Sequence, residues 1–200
     1  DNGFITLRLA DGRETVMPSL GMGEVFTSRK EQLIWQKDKD GYFLKSADKL
    51  LYRFNGPKNP DGYHTLSLIE DNNGFSIQFK YDNQGLLKKI IDSSQRNIWV
   101  ENDDLGHIMR IYIHHEGEEI NLVRYSYDAS GNMIETKDAL GYSKRFYYEH
   151  HLLTQLTNQS GLNFYWEYQG KGDDAKCIHT WGDNGVLEYW TQYEEGKTAS

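Results

Sequence analysis

The chain has 200 residues, a formal net charge of −8 and a mean hydropathy of −0.76. This length suits one domain or a piece of a larger protein. No apolar run approaches the roughly 18 residues of a membrane-spanning helix, and no basic block favours nucleic acid or an anionic membrane as partner. Because the chain starts at Asp1 without a Met or signal peptide, we expect an excised fragment.

The composition favours strands over helices. Aromatic residues make up 14% of the chain, with 14 Tyr, 8 Phe and 5 Trp, and such side chains fit pleated sheets better than helices. Cys177 is the one cysteine, so no internal disulfide can form, and we expect an inert thiol. The sequence therefore predicts an all-β protein without a disulfide framework.

In chain order, residues 1–70 read as a β-rich segment that precedes the clear repeats. An Asp-x-x-Gly turn signal occurs at Asp38–Gly41. The stretch Ser46–Phe54 is the best candidate for a helix, but it lies between turn signals and ends in aromatic residues. We therefore predict a strand there.

Residues 71–200 carry an internal repeat. Acidic residues recur at intervals of 20 to 25 positions, and Gln169 takes the next slot; the acids are Asp82, Asp103, Asp128 and Glu149. The longest interval contains His114–Glu119, which we interpret as a lengthened hairpin tip. Two turns in each unit leave two strands, so the repeat predicts tandem hairpins.

The turns have a defined chemistry. Asp or Asn at the first position of a type I turn can bond its own backbone two residues on, and Gly closes the turn with positive φ. We predict positive φ at Gly131 and Gly141. The predicted structural turn residues are Asp82 and Gly85, Asp103 and Gly106, Asp128 and Gly131, Asp138 and Gly141, and Gly161 after Asn158.

The segments between the turns have strand patterns. Gly74–Tyr81 alternates apolar and polar residues with period 2, as in a half-buried strand. Leu162–Tyr168 has apolar residues on both faces of the predicted strand, which predicts that both faces are buried. Apolar pairs three apart follow several turns and predict a bulge or burial on both faces; they are Leu87/Ile90, Ile108/Ile111 and Leu153/Leu156, with Met133/Thr136 at the same place.

These residues resemble the YD repeat of Rhs proteins. The resemblance rests on Tyr81-Asp82-x-x-Gly85, on Tyr127-Asp128-x-x-Gly131 with Met133, and on Asp138-x-x-Gly141-Tyr142 followed by Phe146–Glu149. It extends from about Phe75 to Tyr193. The Asp103 unit departs from the pattern with Asn102 in place of Tyr, and the Glu149 unit has Leu152-Leu153 where Gly-x-Leu is expected.

The resemblance implies a fold and a role. Rhs proteins spiral tandem β-hairpins into a curved, elongated sheet that forms a hollow shell around a toxic C-terminal domain. The chain is then expected to form part of the shell of such a bacterial polymorphic toxin. This toxin is expected to be exported or injected, by type VI secretion, and to act in interbacterial competition. The implied partners are the remaining repeats, the C-terminal toxin domain and secretion-system components, without nucleic acid or membrane insertion.

Six aromatic residues are predicted to hold the strands together: Phe79, Tyr81, Tyr127, Tyr148, Trp166 and Tyr168. The alternative is an all-β carbohydrate- or cell-surface-binding module, in which Trp residues would stack on sugars. We expect no enzyme activity, no cofactor and no metal. The adjacent pairs His114-His115 and His150-His151 match no zinc pattern, and neighbouring strand residues point to opposite faces.

Overall fold

The computed structural model describes residues 3–9, 12–59 and 62–193. Strands account for 56% of the chain, which confirms the all-β class. The helical turns within the described residues are two short 3₁₀ segments, Gly172–Asp174 and Asp183–Gly185. None of the helices in this part of the chain has the length and apolar character to cross a membrane.

The chain divides into two compact units, Asp1–Asn102 (unit 1) and Asp103–Ser200 (unit 2). The boundary predicted at residues 70 and 71 marks where the repeats become clear, and this division does not test it. The predicted segment 71–200 also includes residues 194–200, which lie outside the described residues.

Unit 1 contains a two-stranded ribbon and an antiparallel meander. The ribbon consists of β1 (Phe4–Arg8) and β2 (Glu14–Pro18). In the meander each strand pairs with the next along the chain; its strands are β3 (Val25–Ser28), β4 (Leu33–Asp38), β5 (Gly41–Lys45), β6 (Leu51–Phe54), β7 (Leu68–Glu70), β8 (Ser76–Tyr81), β9 (Leu87–Ile91) and β10 (Asn97–Asn102). The strand predicted over Ser46–Phe54 is present as β6, although it begins only at Leu51.

Unit 2 is one antiparallel meander, and again each strand pairs with its chain neighbour. Its strands are β11 (Ile108–His115), β12 (Glu118–Tyr127), β13 (Met133–Asp138), β14 (Ser143–Glu149), β15 (Leu152–Thr157), β16 (Asn163–Gln169), β17 (Lys176–Gly182) and β18 (Tyr189–Trp190). The predicted tandem hairpins are confirmed. The stretch His114–Glu119 is the tip of the hairpin of β11 and β12, as the sequence predicts.

The core of unit 1 lies between the ribbon and the sheet. Ile5 pairs with Met17 across the ribbon, and Met17 is 1% exposed. On the sheet, Trp35 of β4 pairs with Leu44 of β5, and both belong to the buried cluster that includes Met17. The intervening Ile34 is 41% exposed, because alternate strand residues point to opposite faces.

The described part of unit 2 has no comparable core. Its buried residues are His179 and Gly182, and no apolar side chain there is buried to the same degree. One face carries the row Phe146, Leu156 and Phe164, which are direct cross-strand partners and are half-buried. We call this the aromatic face of unit 2. The opposite face, which we call the charged face, carries the row Glu135, Arg145 and Thr157.

Of the two alternatives predicted for the pairs spaced by three, a bulge is present at Leu87/Ile90, Met133/Thr136 and Leu153/Leu156. In β13, Ser126 of β12 pairs with Glu135 and Tyr127 pairs with Met133, so that Ile134 is the extra residue. The same irregularity makes Lys88 the extra residue of β9 and Thr154 that of β15. An extra residue lets both apolar residues of a pair spaced by three lie on one face.

Candidate functional site: the repeated turn and its tyrosine

The turn at Asp128–Gly131 shows how one motif is built. The Oδ1 atom of Asp128 accepts hydrogen bonds from the backbone N–H groups of Ser130 and Asn132, both at 2.9 Å. The N–H of Gly131 donates to the carbonyl of Asp128 at 3.0 Å, and Gly131 has a φ of 81°. Asp128 therefore holds the loop, and Gly131 supplies the left-handed backbone that closes it.

The same construction recurs along the chain. Side-chain bonds to the N–H groups two and four residues on are made by Asp71, Asp82, Asp92, Asp103, Asp138 and Asn158. The closing glycines all have positive φ, namely Gly74, Gly85, Gly106, Gly141 and Gly161. Gln95 takes this place after Asp92, with a φ of 62°. The positive φ predicted at Gly131 and Gly141 is thus observed at both.

Hydrogen bonds lower the pKa values of three turn carboxylates, those of Asp82, Asp92 and Asp128. The Asn132 side chain and backbone N–H are the main cause for Asp128, and the backbone N–H groups of Leu86 and Arg96 are the largest causes for Asp82 and Asp92. A lowered pKa means that the ionised acceptor stabilises the fold above the unfolded-state pKa. This contribution is lost as the pH falls through the folded-state value.

Gly85 differs from the other turn glycines. A Cβ atom built on Gly85 would lie 2.2 Å from the carbonyl oxygen of Lys58 and 2.7 Å from the Cα of Asn59. At Gly131 the nearest atom would be 3.6 Å away, on the ring of His107. Gly85 is therefore required both by its φ and by close contact with another backbone segment.

The motif tyrosines bind across to the preceding strand. The hydroxyl of Tyr127 donates to the carbonyl of Ile108 at 3.0 Å, and Ile108 is the apolar residue that follows the turn at Asp103. Tyr148 donates in the same way to Met133, after the turn at Asp128, at 3.1 Å. Tyr168 donates in the same way to Leu153 at 2.9 Å, and Tyr81 donates to Leu66, two residues before β7, at 2.6 Å. We call these bonds the tyrosine ties.

The tyrosine ties connect one repeat with the next. Desolvation by burial is the largest cause that raises the pKa values of Tyr81, Tyr127, Tyr148 and Tyr168. Each hydroxyl consequently stays protonated and serves as a donor. The sequence indicated an aromatic contact at these positions but no acceptor, because the acceptor is a backbone carbonyl that carries no side-chain signal.

The predicted structural aromatic residues lie on strands, but they are less buried than expected. Phe79 of β8 pairs with Ile90, and Trp166 of β16 pairs with Thr180. Both are half-buried, as are the four motif tyrosines. The two-sided burial predicted for Leu162–Tyr168 is wrong: its aromatic side chains are half-buried, because no described element of unit 2 forms a second layer over them.

The two histidine pairs occupy hairpin ends. His150 and His151 form the two-residue turn between β14 and β15, with φ of 51° and 65°. The Nδ1 of His151 lies 2.7 Å from the Oδ1 of Asn132. Within the described residues no three His, Cys, Asp or Glu side chains are grouped to hold a metal ion. The positive φ at both histidines has no signal in the sequence.

A second feature without a sequence signal surrounds His179. Its ring stacks between those of Trp181 and Trp190, at centroid distances of 4.3 Å and 3.6 Å. The Nε2 lies 3.1 Å from an oxygen of Glu188, and the Nδ1 lies 3.5 Å from one of Glu167. The contacts join β16, β17 and β18, so they fasten β18 to the sheet.

The tryptophans considered as sugar platforms differ in exposure. Trp35 is 3% exposed and cannot offer a ring face to a sugar. Trp99, Trp166 and Trp181 are half-buried. Trp190 is 69% exposed, with one ring face occupied by His179. The described tryptophans therefore do not form a row of open rings.

Comparison with known proteins gives one curated relative that bears on function. The chain is 26% identical over 188 residues to the double-stranded DNA deaminase toxin A of Burkholderia cenocepacia (strain H111). The match covers 90% of this chain but 13% of that toxin. No family model matches the chain. The chain is thus similar to a small part of a bacterial toxin.

Two solved structures match the chain with TM-scores below 0.5. The complex TcdB2-TccC3-TEV matches with a TM-score of 0.44 and 12% identity, over 90% of this chain and 11% of that one. The Tc holotoxin pore of Photorhabdus luminescens matches with a TM-score of 0.46 and 10% identity, over the same shares of both chains.

Proposed function

We propose that this chain is a structural segment of a bacterial toxin shell, which encloses a C-terminal toxin domain for delivery to other cells. The observation that carries the proposal is the tandem array of hairpins joined by tyrosine ties, in a chain similar over 90% of its length to part of a toxin. The resemblance of the motifs to YD repeats supports the same role.

The segment acts as a wall. In each meander the backbone of a strand forms hydrogen bonds with the strands before and after it in the chain. The Asp turns supply hydrogen bonds for backbone groups of the loops between these strands. Such continuous pairing leaves few unbonded N–H and C=O groups inside the sheet. A wall of this kind keeps an enclosed polypeptide away from solvent and proteases without chemistry of its own.

The partners follow from this role. They are the remaining repeats of the same polypeptide and its C-terminal toxin domain, together with secretion-system components that export or inject the protein. The aromatic face of unit 2 supports a need for such partners, because its half-buried rings are covered by no described element of that unit. We assign the segment no catalytic residue, metal or cofactor.

Limited proteolysis of the full-length parent tests the wall. The test variant combines Tyr127→Phe, Tyr148→Phe and Tyr168→Phe, which removes three tyrosine ties and keeps the rings. The control combines Tyr142→Phe, Tyr147→Phe and Tyr189→Phe, at tyrosines whose side chains are exposed. We expect faster digestion of the C-terminal domain in the test variant and wild-type digestion in the control.

The proposal fails if the C-terminal domain is digested equally fast in wild type and test variant although the ties are lost. Loss of the ties is checked independently, by faster amide exchange at the ends of β12, β14 and β16.

Toxicity of the parent should survive replacement of His114, His115, His150 and His151. A single histidine replacement that abolishes toxicity without altering protection would reveal an active site.

A further inference from the structure

The charged face of unit 2 places cations directly opposite one another. Arg110 pairs with Arg124 across β11 and β12, and Arg124 pairs with Lys137 across β12 and β13. The row continues to Ser143, the partner of Lys137, and therefore lies on the same face as Arg145. Like charges on directly opposite residues destabilise a sheet. Three adjacent cations are thus unexpected in a chain that has 30 acidic and 22 basic residues.

Two of these cations are free to bind a ligand. Arg110 binds Glu119 at 2.8 Å, and its guanidinium carbon lies 4.2 Å from the centre of the Tyr112 ring. Arg124 and Lys137, in contrast, form no hydrogen bond or ion pair with any residue that the structure describes. Both side chains are exposed, so their donors are within reach of a molecule from solution.

Arg124 and Lys137 border an open cleft of about 370 Å³. Among the described residues, the acidic ones that line this cleft are Glu119 and Asp138, and both already accept hydrogen bonds from other groups. Glu119 accepts from Arg110, and Asp138 accepts from two backbone N–H groups of its own turn. The cleft therefore offers two cations whose hydrogen-bond donors are unused.

We propose that this cleft binds an acidic polypeptide segment, whose carboxylates accept hydrogen bonds from Arg124 and Lys137. A guanidinium presents parallel N–H donors to a carboxylate, and an ammonium group adds a point charge beside it. The Cβ atoms of directly opposite strand residues lie about 4.5–5.5 Å apart, so one carboxylate or two neighbouring ones can contact both cations. This inference goes beyond the shell proposal and does not depend on it.

The surrounding charge favours a short acidic segment over a long polyanion. Nucleic acids gain most of their affinity for proteins when several phosphates are neutralised. The cleft supplies two free cations, and the net charge of −8 repels the parts of a polyanion that extend beyond it. An acidic segment needs to bring only one or two carboxylates to the cleft.

The probe is a blocked tetraglutamate peptide, titrated into the ¹⁵N-labelled chain at about 10 mM salt, where charges are weakly screened. We expect the backbone amide resonances of Arg124 and Lys137 to shift and to saturate at a dissociation constant on the order of 1 mM. At about 1 M salt these shifts should disappear, because the charges are then screened. Blocked tetraglutamine has the same backbone without the charges and should leave these resonances in place.

Matched variants separate the cleft from the net charge of the chain. Arg124→Gln and Lys137→Gln should each weaken binding about tenfold, the loss of one hydrogen bond to a charged group. Lys144→Gln removes the same charge from the aromatic face, where Lys144 is exposed, and should leave binding unchanged. Arg124→Gln should also raise the midpoint of urea denaturation, because it removes a charge that faces two like charges.

The proposal is overturned if tetraglutamate does not shift the amide resonances of Arg124 and Lys137. It is also overturned if Lys144→Gln weakens binding as much as Arg124→Gln does, since binding would then follow net charge alone. A fall in the denaturation midpoint of Arg124→Gln would contradict it as well, because the cation would then serve the fold. Tighter binding of an oligothymidylate than of tetraglutamate would assign the cleft to a nucleic acid instead.

Discussion

In unit 1 the ribbon of β1 and β2 buries Trp35 and Leu44 of the sheet, whereas in unit 2 the rings of Phe146, Phe164 and Trp166 stay half-buried. Both units use antiparallel hairpins closed by Asp turns and tyrosine ties. The repeated motif therefore builds a sheet but does not by itself build a core. A core forms where another segment of the chain packs on the apolar face.

The difference also separates two sources of stability. Unit 1 gains from burial of side chains such as Met17, which removes apolar surface from water. The stability of unit 2 depends more on local hydrogen bonds in its turns and on the tyrosine ties between repeats. Under the proposed function, its aromatic face gains its cover from the remainder of the parent protein.

The largest expected effect is on the core of unit 1. Met17→Ala removes a fully buried side chain and should lower the free energy of unfolding by about 2–5 kcal/mol. Phe146→Ala in unit 2 removes a larger side chain from a half-buried site, so its cost should be smaller. Urea denaturation with unit-specific amide exchange measures both. An equal or greater loss in Phe146→Ala would mean that unit 2 holds a core of its own.

The next effect distinguishes two turn glycines. Gly131→Ala should cost about 1–2 kcal/mol, the penalty of a side chain in the left-handed region. Gly85→Ala carries the same penalty and in addition forces a Cβ against the Lys58 carbonyl, so it should cost about 1–3 kcal/mol more. Gly74→Ala, with positive φ and open space, is the matched control in unit 1. Equal losses at Gly85 and Gly74 would contradict the close approach.

A smaller effect concerns the tyrosine ties. Tyr81→Phe in unit 1 and Tyr127→Phe in unit 2 each remove one hydroxyl and should each cost about 0.5–1.5 kcal/mol, the net value of one hydrogen bond. Tyr142→Phe, at an exposed ring, should be neutral. If only Tyr81→Phe lowers stability, the tie does not stabilise unit 2 as it does unit 1.

The smallest effect is a gain in unit 2. His150 and His151 both have positive φ, which Asn and Gly adopt more readily. The double replacement His150→Asn and His151→Gly should raise the free energy of unfolding by about 1 kcal/mol or less, because relief of the left-handed strain is partly offset by the greater freedom of Gly in the unfolded chain. The bond from His151 to Asn132 is lost in this variant, so His150→Asn alone gives the gain without that loss. A decrease in His150→Asn would show that backbone strain at this turn is not relieved.

Local features were predictable from the sequence, and long-range ones were not. The Asp turns and the hairpins depend on residues close in the chain, so spacing alone predicts them. At Leu87, Met133 and Leu153 the spacing predicted either a bulge or burial on both faces, and the bulge is present. The contrast between buried Trp35 and half-buried Trp166 depends on where β1 and β2 pack, which no local pattern encodes. The sandwich of His179 between two tryptophans likewise depends on the placement of β18.

Site-specific photo-crosslinking in the full-length parent tests the wall most directly. Arg145 and Phe146 are adjacent on β14 and point to opposite faces of the sheet, so a photoreactive phenylalanine analogue at either position probes one face. A wall separates an interior from an exterior. The account therefore predicts crosslinks to the C-terminal domain of the same polypeptide from one of the two positions and not from the other. Crosslinks to that domain from both positions, or from neither, would contradict it.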